Sequence, residues 1–200
     1  MDTYKSIKER SEGLYKDRGS RFLALAYPVE SAEEAKGIVA LLKKEYHDAR
    51  HHCFAWRIGC LGEEFRASDD GEPSGSAGRQ ILGQIDSAGL SDILVVVVRW
   101  FGGIKLGVPG LIKAYKTSAA EAIAGAQVVE KVAGKWFRLG FGYASMPSVM
   151  SMIKSMSLPT RAQSYAEDCT VEVRVRLSLE EDFLRSAGNI PGLSCEEATA

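Results

Sequence analysis

The chain has no CxxC pair, and its four cysteines, Cys53, Cys60, Cys169 and Cys195, lie scattered through 200 residues. That spacing fits reduced thiols in a cytoplasm better than a disulfide framework or a structural zinc site. Long apolar runs are missing as well. The longest, Ile93–Val98, falls far short of the roughly 20 residues a helix needs to cross a bilayer. The opening MDTYKSIKER is polar and mixed in charge, unlike a signal peptide, so a cytoplasmic protein with no membrane partner is expected. Charge of one sign is not in excess either: 25 Lys and Arg stand against 26 Asp and Glu, a formal net charge of −1. Whole-protein attraction to phosphate is thereby excluded, and any nucleic-acid contact must come from a local basic patch. There is no internal repeat and no low-complexity segment.

What is present is ordinary for packed globular protein, 46% apolar and 26% charged, at a length comfortable for two domains. Residues 1–20 are weakly periodic and read as an arm or a short edge strand. Phe22–Pro28 reads as a strand closed by its proline. Ser31 with Glu34 forms a capping box that opens a helix with Ala35, Ile38, Val39, Leu41 and Leu42 along one face. His51–Ile58 is the next strand, with Glu63–Ala67 as its hairpin partner. A turn-rich loop over 68–79 leads into a helix over 76–87. Ile93–Val98 has the β-branched continuity of a strand buried on both faces. A glycine-rich loop, Arg99–Val108, then meets Pro109 in the first turn of a helix reaching about Gly125.

The stretch 127–134 reads as a boundary between domains over 1–128 and 134–200. The second shows a strand at Trp136–Phe141, a methionine-rich helix over 146–156 and strands at Arg161–Tyr165 and Cys169–Leu177. In the last of these Val171, Val173, Val175 and Leu177 alternate inward. A helix capped by Ser178 and a strand near Leu193 complete βαββαβ, a ferredoxin-like unit. The fold class is α+β.

Chemistry concentrates in two glycine-rich loops, each feeding a helix N-terminus, where free amides and the helix dipole make a seat for phosphate or carboxylate. The second loop stands out because no acidic residue occurs from Ile93 to Ala120, while Arg99, Lys105, Lys113 and Lys116 are cationic. With Gly102 and Gly103 in its turn, and with Arg79 opening the preceding helix, it suits a nucleotide or an RNA backbone, and Trp100 and Phe101 suit a stacked base. The plainer reading is that the glycines permit tight turns and the aromatics cap the core. The first loop carries Asp69, Asp70 and Glu72, which fit turn and helix capping better than cation binding or acid/base work. His47, His51 and His52 lack cysteine or a second carboxylate at ligand spacing and read as packed or surface histidines. No metal site, cofactor or catalytic set is assembled, and P-loop, GxSxG and GxGxxG patterns are all unmatched.

Three blocks taken together, Tyr46–Gly59, Ser68–Arg79 and Val95–Leu111, resemble the N-terminal domain of the IMPACT family in content and order. The tail is similar to the small C-terminal domain of its bacterial, YigZ-like members. Gln80 departs from the pattern, which has proline there. The resemblance implies an N-terminal domain similar to domain 2 of small-subunit ribosomal protein five, a fold shared with domain IV of elongation factor G and the GHMP small-molecule kinases. It implies a C-terminal unit similar to domain V of that factor. For eukaryotic members it implies regulation of translation. The expectation for this chain is a non-enzymatic, monomeric accessory protein of translation that binds RNA, the ribosome or a translation factor through the basic loop. The alternative is a nucleotide-binding protein or kinase-like enzyme with Ser74, Gly75 and Ser76 of the 71–79 loop as its phosphate seat.

Overall fold

The computed structural model describes residues 2–166 and 168–198. It divides into two compact units, Tyr4–Lys131 and a second built from the chain beyond Val132 together with the extreme N-terminus. The first contains β1 (Thr3–Ile7), β2 (Ser11–Asp17), β3 (Ser20–Pro28), α1 (Ala32–Glu45), β4 (His51–Ile58), β5 (Glu64–Ser68), α2 (Gly78–Ala88), β6 (Ile93–Trp100), α3 (Gly107–Ala124) and β7 (Val128–Val132).

Six consecutive apolar residues leave β6 no side fit for water, and the fold places it at the centre of a five-stranded sheet ordered β2-β3-β6-β4-β5. Its neighbours β3 and β4 both run antiparallel to it. The period of two sends Val95 and Val97 to one face, with Ala24, Ala26, Cys53 and Ala55, beneath α2 and α3. Leu94, Val96 and Val98 go to the other face, beneath α1. The α1 helix starts where the capping box predicts: Ser31 Oγ accepts from the Glu34 amide at 3.2 Å, and the Glu34 carboxylate accepts from the Glu30 amide at 2.8 Å.

Residues 1–20, expected as an arm or a short edge strand, hold two strands, of which β2 is an edge of the five-stranded sheet; the stretch 127–134 holds β7, which pairs with β1. The buried carboxylate of Asp92 ties this small ladder down by accepting from Tyr4 Oη, from the Gly59 amide at 3.0 Å and from Lys131 Nζ at 3.3 Å. Thr3–Ile7 and Val128–Val132 bury few apolar side chains, so they offer little alternation to read.

The second unit is β8 (Gly134–Phe141), α4 (Met146–Ser155), β9 (Thr160–Tyr165), β10 (Cys169–Arg176), α5 (Glu180–Gly188) and β11 (Ser194–Ala198). Its antiparallel sheet, ordered β11-β8-β10-β9, has the connectivity of the expected ferredoxin-like unit. Val171, Val173 and Val175 are buried with Phe137, Leu139 and Phe141 against α4 and α5. Leu177 leaves the alternation, because the chain turns into a short 3-10 helix there. Ser178 does not cap α5; its hydroxyl donates to Asp2 at 2.6 Å. On the opposite sheet face Glu172 is buried between Arg161 (2.8 Å) and Arg138 (2.7 Å), whose hydrogen bonds hold its carboxyl below the usual range. Among the described residues no helix is long and apolar enough to cross a membrane.

Phe183 of α5 is fully buried, with its ring 5.1 Å from that of Phe137. Phe183→Ala removes both the burial and the ring contact, and urea denaturation of this unit should show a loss of about 3–5 kcal/mol.

Candidate functional site

The alternation along β6 does not stop with its last valine. Arg99 is the next residue on the α2/α3 face, and its side chain is only 7% exposed. Its register partners are Phe22 on β3 and His51 on β4. The guanidinium lies 5.3 Å above the Phe22 ring, while its Nη1 donates to Oε1 of Glu72. The same carboxylate oxygen accepts from Tyr115 Oη of α3 at 2.8 Å and lies 3.8 Å from His51 Nε2. The Cys53 thiol is within hydrogen-bond reach of the Asp69 carbonyl (3.0 Å) and of Tyr115 Oη (3.3 Å). Burial pushes the Cys53 thiol and the Tyr115 phenol far above their ordinary values, so both remain protonated donors.

The 68–79 loop brings Glu72 here because its neighbours are engaged elsewhere. The Asp69 carboxylate accepts from the amides of Gly75 (2.8 Å), Ala77 (3.1 Å) and Gly78 (2.8 Å), filling the N-terminus of α2. Asp70, at φ +42°, accepts from Lys43 Nζ at 2.6 Å and from the His52 amide at 2.7 Å. Burial works to raise the Asp70 carboxyl, yet these two bonds outweigh it and hold it below the usual range. The capping role expected of the acidic residues therefore describes Asp69, whereas Asp70 ties β4 to α1. Glu72 is different, its side chain buried to 4% exposure against a cationic wall.

Beyond Arg99 the chain turns out of the sheet. Gly102 is required by close approach, since a Cβ there would collide with the backbone of Gly19 and Ser20, and its amide donates to Ser20 Oγ at 3.1 Å. Gly103 sits at φ +90°, a conformation that favours glycine. The loop re-enters helix at α3, whose first turn has no side-chain cap and no acidic residue. Between α3's mouth, β4 and the 68–79 loop opens a cleft of about 460 Å³. Arg50, His51, Glu72, Arg99 and Lys105 supply its polar wall, and Phe101, Leu106, Val108 and Leu111 its apolar one.

Of the residues expected at the site, the fold brings Arg99, Lys105 and Phe101 together here. Phe101 is 46% exposed, with the Arg99 guanidinium 5.7 Å from its ring. Trp100, one residue later in the alternation, belongs to the other sheet face; it packs edge-on to Tyr46, lies under Arg21 and donates to Asp48 at 2.9 Å. Arg79 is exposed on α2, and Lys113 and Lys116 on α3, none of them lining the cleft. In the 71–79 loop Ser74 is exposed, whereas Ser76 is buried and donates to the Pro73 carbonyl at 2.6 Å. Gln80, where the family pattern has proline, donates to the Gly75 carbonyl at 3.0 Å. Arg50, His51, Glu72 and Tyr115 are site residues that sequence spacing does not point to; the period-two continuation of β6 to Arg99 is the signal that leads to them. Among the described residues no three His, Cys, Asp or Glu side chains cluster as cation ligands.

Two outcomes follow from this geometry. Gly102→Ala should lower stability by about 1–3 kcal/mol in urea denaturation, since backbone rather than a flexible side chain must give way. His52 is buried with Nε2 donating to the Tyr46 carbonyl at 3.1 Å, and burial lowers its pKa below the ordinary 6.5. The unfolded chain therefore takes up this proton first. Stability is full above about pH 6.5 and drains as pH falls through the folded value. Thermal melts between neutral pH and about pH 5 should show a loss that is reduced in His52→Gln.

The sequence profile of the Impact N-terminal domain matches residues 18–123. The IMPACT family member YvyE of Bacillus subtilis (strain 168) is 32% identical over 175 residues, 88% of this chain and 81% of that protein. The IMPACT family member YigZ of Escherichia coli (strain K12) is 42% identical over 106 residues, a match spanning 52% of each chain. A crystal structure of a hypothetical protein superimposes with a TM-score of 0.75 at 27% identity, covering 100% of this chain and 98% of the other. All three blocks that build the cleft fall within the profile match, and the chain belongs to the IMPACT family.

Proposed function

We propose that this chain is a non-enzymatic accessory protein of translation that binds RNA, receiving a phosphate and an adjoining base in the cleft at the mouth of α3. The observation that carries the reading is the meeting of an uncapped helix N-terminus with Arg50, Arg99 and Lys105 around one cavity. Free amides at the positive end of a helix dipole favour an anion, and guanidinium groups favour phosphate in particular. Phe101 offers an exposed ring beside that seat, and any base has a face to stack on it. Lys113 and Lys116 extend the positive field along the exposed side of α3. Membership in the IMPACT family supports a translation role, which would place the protein in the cytoplasm with the ribosome or a translation factor as the larger partner.

The alternative seat in the 71–79 loop is weaker on a specific observation: Asp69 already takes the amides a phosphate would need.

Fluorescence anisotropy of a labelled single-stranded RNA, titrated with the whole chain across a salt series, tests the reading. One phosphate in the cleft and two more along Lys113 and Lys116 imply that log K falls against log salt with a slope of about −2. Lys105→Ala should flatten that slope by roughly 0.7 and weaken binding evenly across RNA sequences. Affinity indifferent to salt would sink the proposal.

A further inference from the structure

We propose that the cleft reads the ribose of a ribonucleotide, with the free oxygen of Glu72 and Nε2 of His51 accepting hydrogen bonds from its neighbouring hydroxyls. The inference rests on the phosphate-binding reading above and names its ligand more closely: a ribonucleoside phosphate, either free or at the terminus of an RNA.

Glu72 lines the cleft although its side chain is only 4% exposed. Both hydrogen bonds it receives, from Arg99 and from Tyr115, enter through Oε1. Among the described residues none donates to Oε2, and that oxygen is not sealed away from the cleft. An acceptor left open on a cleft wall is satisfied by a donor on the ligand. A phosphate oxygen is repelled there. An ammonium group would have to enter beside Arg50, Arg99 and Lys105, against a carboxylate already paired. An uncharged hydroxyl meets neither objection.

His51 supplies the second acceptor. Its Nδ1 lies 2.8 Å from the Asp70 carbonyl, which can only accept, so in the neutral ring Nδ1 carries the hydrogen and Nε2 a lone pair. Nε2 stands 3.8 Å from Glu72 Oε1, so the two acceptors are adjacent on one wall. Adjacent acceptors suit adjacent hydroxyls, and a carboxylate gripping ribose is a recurring solution in nucleotide sites. The remaining walls match the rest of a nucleotide: cations and the α3 amides for phosphate, Phe101 and Val108 for the base. A volume near 460 Å³ lies within the range of small-ligand pockets. Reading a 2′-hydroxyl is also what separates RNA from DNA at a given site.

Isothermal titration of the whole chain with adenosine 5′-monophosphate, its 2′-deoxy and 3′-deoxy analogues and inorganic phosphate tests the inference. The ribonucleotide should bind roughly tenfold more tightly than at least one deoxy analogue, as loss of a hydrogen bond to a charged acceptor implies. In Glu72→Gln, which presents an NH2 group where the free oxygen was, that ratio should collapse. Because this variant also leaves the Arg99 charge without its partner, the analogue series on the unaltered chain is the deciding measurement. Competition identifies the source: displacement of the nucleotide by an RNA with a free 3′ end, and not by the same RNA closed with a 3′-phosphate, assigns an RNA terminus. A ribose preference with displacement by neither assigns the free nucleotide. Equal affinity for all three nucleotides overturns ribose reading and leaves the phosphate seat intact. No binding of nucleotide, phosphate or RNA overturns both.

Discussion

Burial of β6 on both faces is the constraint on which the N-terminal unit depends. A strand enclosed between α1 on one side and α2 with α3 on the other cannot carry a charge along its length. The first charge on the strand is Arg99, at its end and still buried, where Glu72 meets it. The period of two then decides everything local. Arg99 continues the row of Val95 and Val97 into the side where α3 begins, and Trp100 continues the row of Val96 and Val98 into the side where α1 lies. One residue of register slip would exchange them, turning the cationic wall of the cleft toward α1.

A guanidinium at such a position carries a desolvation cost of several kcal/mol unless it is met by charge and hydrogen bonds together. Glu72 meets it, and the cost of placing Glu72 is offset in turn by Tyr115 and by the loop that delivers it. The loop is rigid in the places that count. Asp69 binds three amides at the head of α2, and Asp70 spans β4 and α1 through His52 and Lys43. The network is a set of donors converging on one carboxylate oxygen. Because burial keeps the Cys53 thiol and Tyr115 phenol protonated, neither competes with Glu72 as a negative centre.

The elements with strong periodicity were legible in the sequence: the two-sided strand β6, the capping box at Ser31, the α3 start at the glycine-rich loop and the βαββαβ order of the C-terminal unit. The elements that were not legible are those whose geometry depends on distant partners. Thr3–Ile7 pairs with Val128–Val132 from the far end of the unit, and Ser178 lies inside the 3-10 turn ahead of α5, where its hydroxyl donates to Asp2. At the site, composition found Arg99, Lys105 and Phe101 from the absence of acidic residues around them. The same rule hid Glu72, since a carboxylate among turn formers looks like its neighbours Asp69 and Asp70 until the register of β4 on β6 is known. His51 was hidden for the same reason: its importance comes from standing opposite Arg99 across the sheet, a relation that no spacing along the chain encodes.

The chain treats the N-termini of α2 and α3 differently. Both follow glycine-rich loops, and both present free amides at the positive end of a dipole. At α2 the chain satisfies those amides itself, with Asp69 reaching back from the end of the hairpin. At α3 it supplies no cap: Leu106 stands at the cap position, no acidic residue occurs in the first turn, and the surrounding side chains are Arg50, Arg99 and Lys105. A capping Ser, Asp or Asn there would be worth about 1 kcal/mol to the folded chain, and its absence is a stability cost with no structural return. Such a cost is expected where an external anion completes the helix, because a residue that filled the seat would also close it.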